Sequence, residues 1–309
     1  MIFSSSWLRA ARLQLYTISF TPLLLGNIAA WYMHGHFSWP RFVLAFLIGL
    51  MIHLTTAFVN DVADIQTDEI NDFRTPFSGG SGVLVEGKLS RSELINGASG
   101  AAFLAIIFTF ITIFGLQVHW GILFFVVWGI VSATEYSLPP LKLSYRGGGE
   151  FLVLITYSLA LLWAGYFMQT GRPAFSPLIW ILSIPIGFAV FALITITQFP
   201  DLAADRKAGK RSLVLMLGIE KTLRIISLAV TLSMLSILIF FFAGALPIPA
   251  CILSLFALPL VYLILKDIFH PVDQGNVLYT KLCQKTLILT LWLGIAPAIG
   301  LILDRLLSK

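Results

Sequence analysis

Apolar residues run along this chain in blocks of about twenty, and short polar or Pro/Gly-containing breaks separate one block from the next. Nine blocks stand out, at residues 13–33, 40–60, 94–116, 118–138, 150–170, 177–199, 222–243, 246–265 and 286–303. The hydrocarbon core of a bilayer, roughly 30 Å thick, needs about 20 apolar residues of helix, so each block predicts one transmembrane α-helix. Typical breaks are Gln117–His119, Thr170–Pro173 and Ala243–Pro249. Trp7 to Leu15, carrying Arg9 and Arg12, predicts a short amphipathic lead-in helix at the membrane surface. The first block is too long and too weakly bounded for a cleavable signal peptide. One weak internal echo is present: spans two and six both run straight into an aspartate-rich loop.

Composition narrows the class. Hydrophobic residues make up 58% of the chain and charged residues 11%, against roughly 45–50% and about 25% in soluble domains. That excludes a soluble enzyme, a disordered protein and a nucleic-acid-binding module. Cys251 and Cys283 lie in or near apolar segments and suggest neither a disulfide framework nor a zinc site. The expected fold class is an all-α membrane protein with nine transmembrane helices.

Charge then sets the expected orientation. With nine spans and a cytoplasmic N-terminus, 16 of the 20 Lys and Arg fall on the cytoplasmic side; Arg41, Arg172, Arg305 and Lys309 fall outside. This is a strong positive-inside bias, and it leaves the C-terminus external. Of 15 carboxylates only Asp304 lies outside. A face rich in both signs, at the mouth of an apolar bundle, reads as a polar reaction chamber; the plain alternative is ordinary solvated loops.

Span two ends in Asn60-Asp61-Val62-Ala63-Asp64-Ile65-Gln66-Thr67-Asp68. If the helix continues, Asn60, Asp64 and Asp68 share one face, and Asp61 joins them at i, i+3 and i+7. Carboxylates that close repel unless a cation bridges them, and Mg²⁺ characteristically takes one or two carboxylates together with substrate phosphates and water. A merely hydrated helix end fits less well, because acids at a helix C-terminus oppose the macrodipole. Span six ends in Gln198-Phe199-Pro200-Asp201-Leu202-Ala203-Ala204-Asp205, followed by Arg206, Lys207, Lys210 and Arg211. Two carboxylate clusters and a basic run suit a magnesium-bridged diphosphate, with carboxylates on the metal and bases on the remaining oxygens. Alone, the basic run reads equally as a membrane anchor. Beside Asp201 and Asp205 it favours ligand roles for Arg206, Lys207 and Lys210, without fixing which of them points inward.

A third segment, Tyr136 to Glu150, closes span four and opens span five. Its Pro139-Pro140 pair stops a helix, and Gly147, Gly148 and Gly149 permit a tight return. Tyr136, Lys142 and Arg146 are its candidates for facing the chamber, although a helix-breaking loop with basic anchors explains it equally well.

Together these segments resemble the UbiA superfamily of intramembrane prenyltransferases. Asn60-Asp61-x-x-Asp64-x-x-x-Asp68 looks like that family's first aspartate motif, Asp201-x-x-x-Asp205 its second, and Tyr136 through Lys142 its Tyr/Lys loop. The resemblance implies one domain over residues 1–309, a bundle around a central cavity capped by cytoplasmic loops, with a lateral opening to lipid. It implies Mg²⁺ as cofactor and, as substrates, an isoprenyl diphosphate and an aromatic acceptor. Asn60, Asp64 and Asp68 would then hold one metal–diphosphate contact, and Asp201 with Asp205 the other. Lys142 would neutralise diphosphate oxygens, and Tyr136 would lie beside the allylic carbon. Asp61, Arg146, Arg206, Lys207, Lys210 and Gln198 are further candidates for the diphosphate; Gln198 stands where many members have asparagine.

Asp205-Arg206-Lys207-Ala208-Gly209-Lys210-Arg211-Ser212-Leu213 resembles the second motif of 1,4-dihydroxy-2-naphthoate prenyltransferases of menaquinone synthesis. Residues 74–82 lack the Arg-Pro-hydrophobic-Pro-Ser-Gly run of 4-hydroxybenzoate members. A naphthoate acceptor is therefore expected, with 4-hydroxybenzoate, tocopherol-type, chlorophyll, haem and glycerophosphate-ether acceptors as alternatives. The expected location, with no transit peptide read, is the plasma (inner) membrane. A polytopic transporter is the rival of another class, since intramembrane acids mark ion paths. Here, however, the acids gather at one face and the span interiors lack charge. Nothing in the pattern sets prenyl length or oligomeric state.

Overall fold

Backbone N–H and C=O groups find no water in hydrocarbon, so an apolar run of this length satisfies them internally by coiling into a helix. The computed structural model describes residues 5–273 and 275–308, and among the described residues it contains helices and no β-strand. In chain order the long helices are α1 (Leu13–His34), α2 (Trp39–Ala63), α3 (Arg91–Gly115), α4 (Ile122–Ser137), α5 (Gly149–Thr170), α6 (Pro177–Ile196), α7 (Ile219–Phe242), α8 (Ile248–Phe269) and α9 (Gly275–Leu307). Eight of these are long and apolar enough to cross a bilayer; α4, at 16 residues, falls short of that length.

Several boundaries differ from the hydropathy pattern. The lead-in helix spans Ser5–Ala11 and ends at Arg12, which adopts a left-handed conformation before α1 begins. α9 starts at Gly275, well ahead of residue 286, because Tyr279, Lys281 and Lys285 continue the helix despite their polarity. Lys281 pairs with Asp273, and Lys285 with Asp267 at the end of α8. α3 and α5 each carry a π-helical turn, at Ile111–Gly115 and Ile155–Ala160.

α1 packs on α5, α2 on α3, α6 on α7, and α9 on α8, α1 and α6. Small residues set the closest crossing. A Cβ on Gly26 would lie 2.0 Å from the Leu162 carbonyl oxygen, and one on Gly165 would lie 2.3 Å from that of Leu23. Glycine at both positions lets the two backbones meet, as in membrane helix pairs generally. The largest buried cluster joins Leu25 and Leu162 of this pair to Ile186, Ile196, Ile226 and Leu289 of α6, α7 and α9.

At the end of the bundle where α2 begins, polar side chains close the structure. Gln169 donates to Asn27 Oδ1 (2.8 Å) and accepts from the Ser38 backbone N–H, while Arg41 donates to the backbone oxygens of Gln169 and Leu116. Asn27 is thus a hydrogen-bonded packing residue within an apolar span. Both aspartate motifs lie at the other end.

Candidate active site

α2 does not run unbroken through the first motif. It ends at Ala63, Asp64 sits at the break, and a new short helix covers Ile65–Glu69. The expected single helical face is therefore interrupted, yet Asn60, Asp64 and Asp68 still line one cavity. Asp61 is directed elsewhere: its carboxylate accepts from the Ser81 N–H and hydroxyl. α6 likewise ends before its motif, and a turn through Gln198–Pro200 delivers Asp201 to the start of the helix Leu202–Lys207.

The cavity, of about 300 Å³, has two unlike ends. Asn60, Asp64, Asp68, Asp201, Asp205 and Lys210 form the polar end. Gly49, Ile52, Phe125, Trp128, Leu161 and Ala164, from α2, α4 and α5, line the apolar part, and Tyr136, Thr156 and Tyr157 stand along its wall.

Lys210 joins the two motifs. Its ammonium lies 3.4 Å from Asp64 Oδ1 and 3.0 Å from Asp205 Oδ1. Burial works against this charge, but Asp64 and Asp205 outweigh it and hold the lysine protonated beyond its ordinary range. The Asp64 carboxylate also accepts from Asn60 Nδ2 and from the Tyr145 hydroxyl, both at 2.8 Å. Tyr145 is raised to about 12, by burial first and by Asp64 second. Asp201 is gripped by the 71–82 loop, accepting from Asn71 Nδ2 at 2.7 Å and from the Gly79 N–H at 3.0 Å. Gly80 of the same loop, at φ +67°, passes so close that a Cβ would overlap Asp68 Oδ2.

Acid excess is the main electrostatic feature. Burial, reinforced by Asp64 and Asp61, pushes Asp68 up to about 7; burial and then Asp205 push Asp201 up to about 6; and burial raises Asp205 despite Lys210. Among the described residues no protein donor reaches the Asp68 carboxylate, and Asp205 Oδ1 meets Lys210 as an ion pair without hydrogen-bond geometry. The donor set is all oxygen and net negative, which suits a hard divalent cation. Among the described residues no three Asp, Glu, His or Cys side chains form a ready-made cage. A cation here would thus complete its shell with water or with oxygens of a bound molecule.

The remaining expected residues are distributed unevenly. Tyr136 and Gln198 line the cavity, and Gln198 donates to the buried Glu150 at 2.9 Å. Lys142, itself left-handed, sits 3.5 Å over the Tyr145 ring, and Arg146 donates to the Pro140 carbonyl within its own loop. Arg206 and Lys207 are exposed and outside the cavity lining. Tyr145, Asn71, Arg12 and His53 were not singled out by the sequence pattern as site residues. Of these, Tyr145 carries a local signal in the sequence, its place in Leu143–Arg146 beside the expected Tyr/Lys loop.

A helical membrane bundle enclosing a cavity with acids at one end and an apolar interior is the class of protein that fold and site define. The profile of the UbiA prenyltransferase family matches residues 19–273, and this chain belongs to that family. It is a prenyltransferase and an integral, multi-pass membrane protein, which removes the transporter alternative. A chloroplastic 2-carboxy-1,4-naphthoquinone phytyltransferase of Arabidopsis thaliana is 24% identical, over 96% of this chain and 77% of the relative. A 1,4-dihydroxy-2-naphthoate octaprenyltransferase of Escherichia coli is 23% identical, over 70% and 69% respectively. The solved structure of a UbiA homologue from Archaeoglobus fulgidus, bound to GPP and Mg²⁺, shares the fold with a TM-score of 0.65 at 16% identity, covering 96% of this chain and all of that one.

Proposed function

We propose that the whole chain, 1–309, acts as one domain that transfers a prenyl group from an isoprenyl diphosphate to a 1,4-dihydroxy-2-naphthoate-type aromatic acceptor, with Mg²⁺, in menaquinone synthesis. One observation carries the prenyl-diphosphate part: carboxylates from two motifs, far apart in sequence, meet around Lys210 at the mouth of an apolar cavity. The naphthoate part is supported by the names of two relatives and by the Asp205–Leu213 run. In this reading the protein lies in the plasma membrane, with its N-terminus and site loops cytoplasmic and its C-terminus external, as the basic residues predict.

Asn60, Asp64 and Asp68 would hold the metal from one side, and Asp201 and Asp205 from the other. Bound there, Mg²⁺ supplies charge neutralisation that makes diphosphate a better leaving group. Lys210 is the preferred protein cation for the diphosphate oxygens, because among the expected bases it alone lines the cavity. Lys142, Arg146, Arg206 and Lys207 would act from the rim. Trp128, Tyr136 and Tyr157 offer ring faces to an allylic cation as the C1–O bond loosens. The apolar walls keep water from capturing that cation.

The test is a product assay by mass spectrometry on purified protein, with polyprenyl diphosphates, a panel of acceptors, and either Mg²⁺ or chelator. A metal-dependent prenylated naphthoate is expected. Prenylation of another acceptor alone would refute the naphthoate assignment and keep the chemistry; turnover unaffected by chelator would refute the metal.

A further inference from the structure

His53 lies on α2, seven residues and so two turns below Asn60, roughly 10 Å along the helix axis. It is buried and lines the same cavity. Its ring is held firmly. The Ala11 carbonyl, at the end of the lead-in helix, accepts from Nε2 at 3.0 Å, and the Tyr16 ring lies 5.4 Å away. A carbonyl only accepts, so Nε2 carries a proton; in the neutral imidazole Nδ1 is then the lone-pair nitrogen. The Arg12 backbone lies against the same ring, and Nδ1 is not among the sealed, unsatisfied atoms of the interior. His53 itself lines the cavity. The backbone contact that pins one nitrogen thus fixes the tautomer of the other, the usual way a basic histidine is prepared.

We propose that His53 is the general base for the acceptor hydroxyl, and that this wall, below the diphosphate, is where a hydroxyl-bearing aromatic ring lies. The inference rests on the aromatic-acceptor reading above. The charged and titratable groups beside it are Arg12, at the end of the lead-in helix, and Tyr16 of α1, while Tyr157 of α5 and Asp64 higher on α2 line the same cavity. In the step, the acceptor O–H bond breaks and its proton passes to Nδ1. The freed pair enters the ring, whose carbon bonds to C1 of the prenyl chain while the C1–O bond breaks and diphosphate leaves with the electron pair. The displaced ring substituent departs, either as a proton taken up by the diphosphate or as carbon dioxide from a ring carboxylate. Its electron pair restores the aromatic ring, and Nδ1 returns its proton to the oxygen.

The alternative is a histidine that only fastens the lead-in helix to α2. Two variants separate the roles. His53→Gln keeps a donor for Ala11 and loses the base, and His53→Asn keeps a polar group nearer Nδ1. Each is compared with wild type for prenyl-diphosphate affinity, thermal unfolding, and kcat with hydroxyaromatic acceptors of graded acidity. The expected result for His53→Gln is a loss of about 10²–10⁴-fold in kcat, with diphosphate affinity and unfolding temperature retained. Part of that loss should return with more acidic acceptors, or as pH rises toward the acceptor's own pKa. A loss independent of acceptor acidity and accompanied by lowered unfolding temperature in both variants would overturn the proposal, as would wild-type kcat in His53→Gln. Failure of the wild-type protein to prenylate any aromatic acceptor would instead overturn the reading beneath it.

Discussion

Lys210→Met is the perturbation that tests the electrostatics of the site most directly. The lysine side chain is 11% exposed, and its partners Asp64 and Asp205 are 13% and 7% exposed, 3.4 and 3.0 Å away. With an effective dielectric near 20, each attraction is about 5 kcal/mol gross, of which the desolvation of three charged groups cancels a large share. Removing one member of such a buried set leaves unpaired charge and typically costs about 3–5 kcal/mol. The loss should depend on pH. Burial raises Asp205 despite Lys210, and with the lysine gone this carboxylate holds its proton more tightly still, so the penalty is smaller at pH 5.5 and larger at pH 8. Equilibrium unfolding of metal-free protein in a fixed detergent, at both pH values, measures this. Adding Asp205→Asn should recover part of the loss at pH 8. A penalty below about 1 kcal/mol at pH 8, or one of equal size at both pH values, would refute the argument that Lys210 holds the two motifs together.

Asp64→Asn and Asp201→Asn should abolish turnover while the protein still inserts and purifies, with turnover followed by product mass spectrometry. Because Asp68 and Asp201 bind protons more tightly in the folded than in the unfolded chain, the metal-free fold loses stability as pH rises through 6 to 7. Cation binding requires those same groups ionised, so the rise in unfolding temperature with Mg²⁺ should be larger at pH 8 than at pH 5.5. Gly26→Val places a side chain against the Leu162 carbonyl at the α1–α5 crossing and should lower stability by about 1–3 kcal/mol, seen as a fallen unfolding temperature.

Helices and motifs were legible because each obeys a local rule. The bilayer demands uninterrupted apolar runs, and carboxylates at spacings of three and four residues announce themselves. What escaped the reading is set by contacts between distant segments. Asn71 and Gly79 bond Asp201 across 130 and 122 residues, and no periodicity encodes that pairing. The same holds for Asp61, which belongs to the first motif in sequence and to Ser81 in space. Which cation in the basic run turns inward was likewise undetermined until the chain was folded: Gly209, at φ 70°, reverses the backbone after Lys207 and carries Lys210 back over Asp205, leaving Arg206 and Lys207 exposed. Polar residues inside spans divided in the same way. Asn27 and Gln169 satisfy each other, whereas His53, bonded to Ala11 through one ring nitrogen, also lines the cavity.

The brevity of α4 bears on the membrane around the enzyme. Sixteen residues rise about 24 Å, less than the roughly 30 Å of hydrocarbon beside it. In a bilayer of that thickness a helix this short leaves about 6 Å of hydrocarbon unmatched, which lipids meet by thinning or flanking residues by reaching outward, so the wall carrying Phe125, Trp128 and Tyr136 would face a thinner membrane than the rest of the bundle.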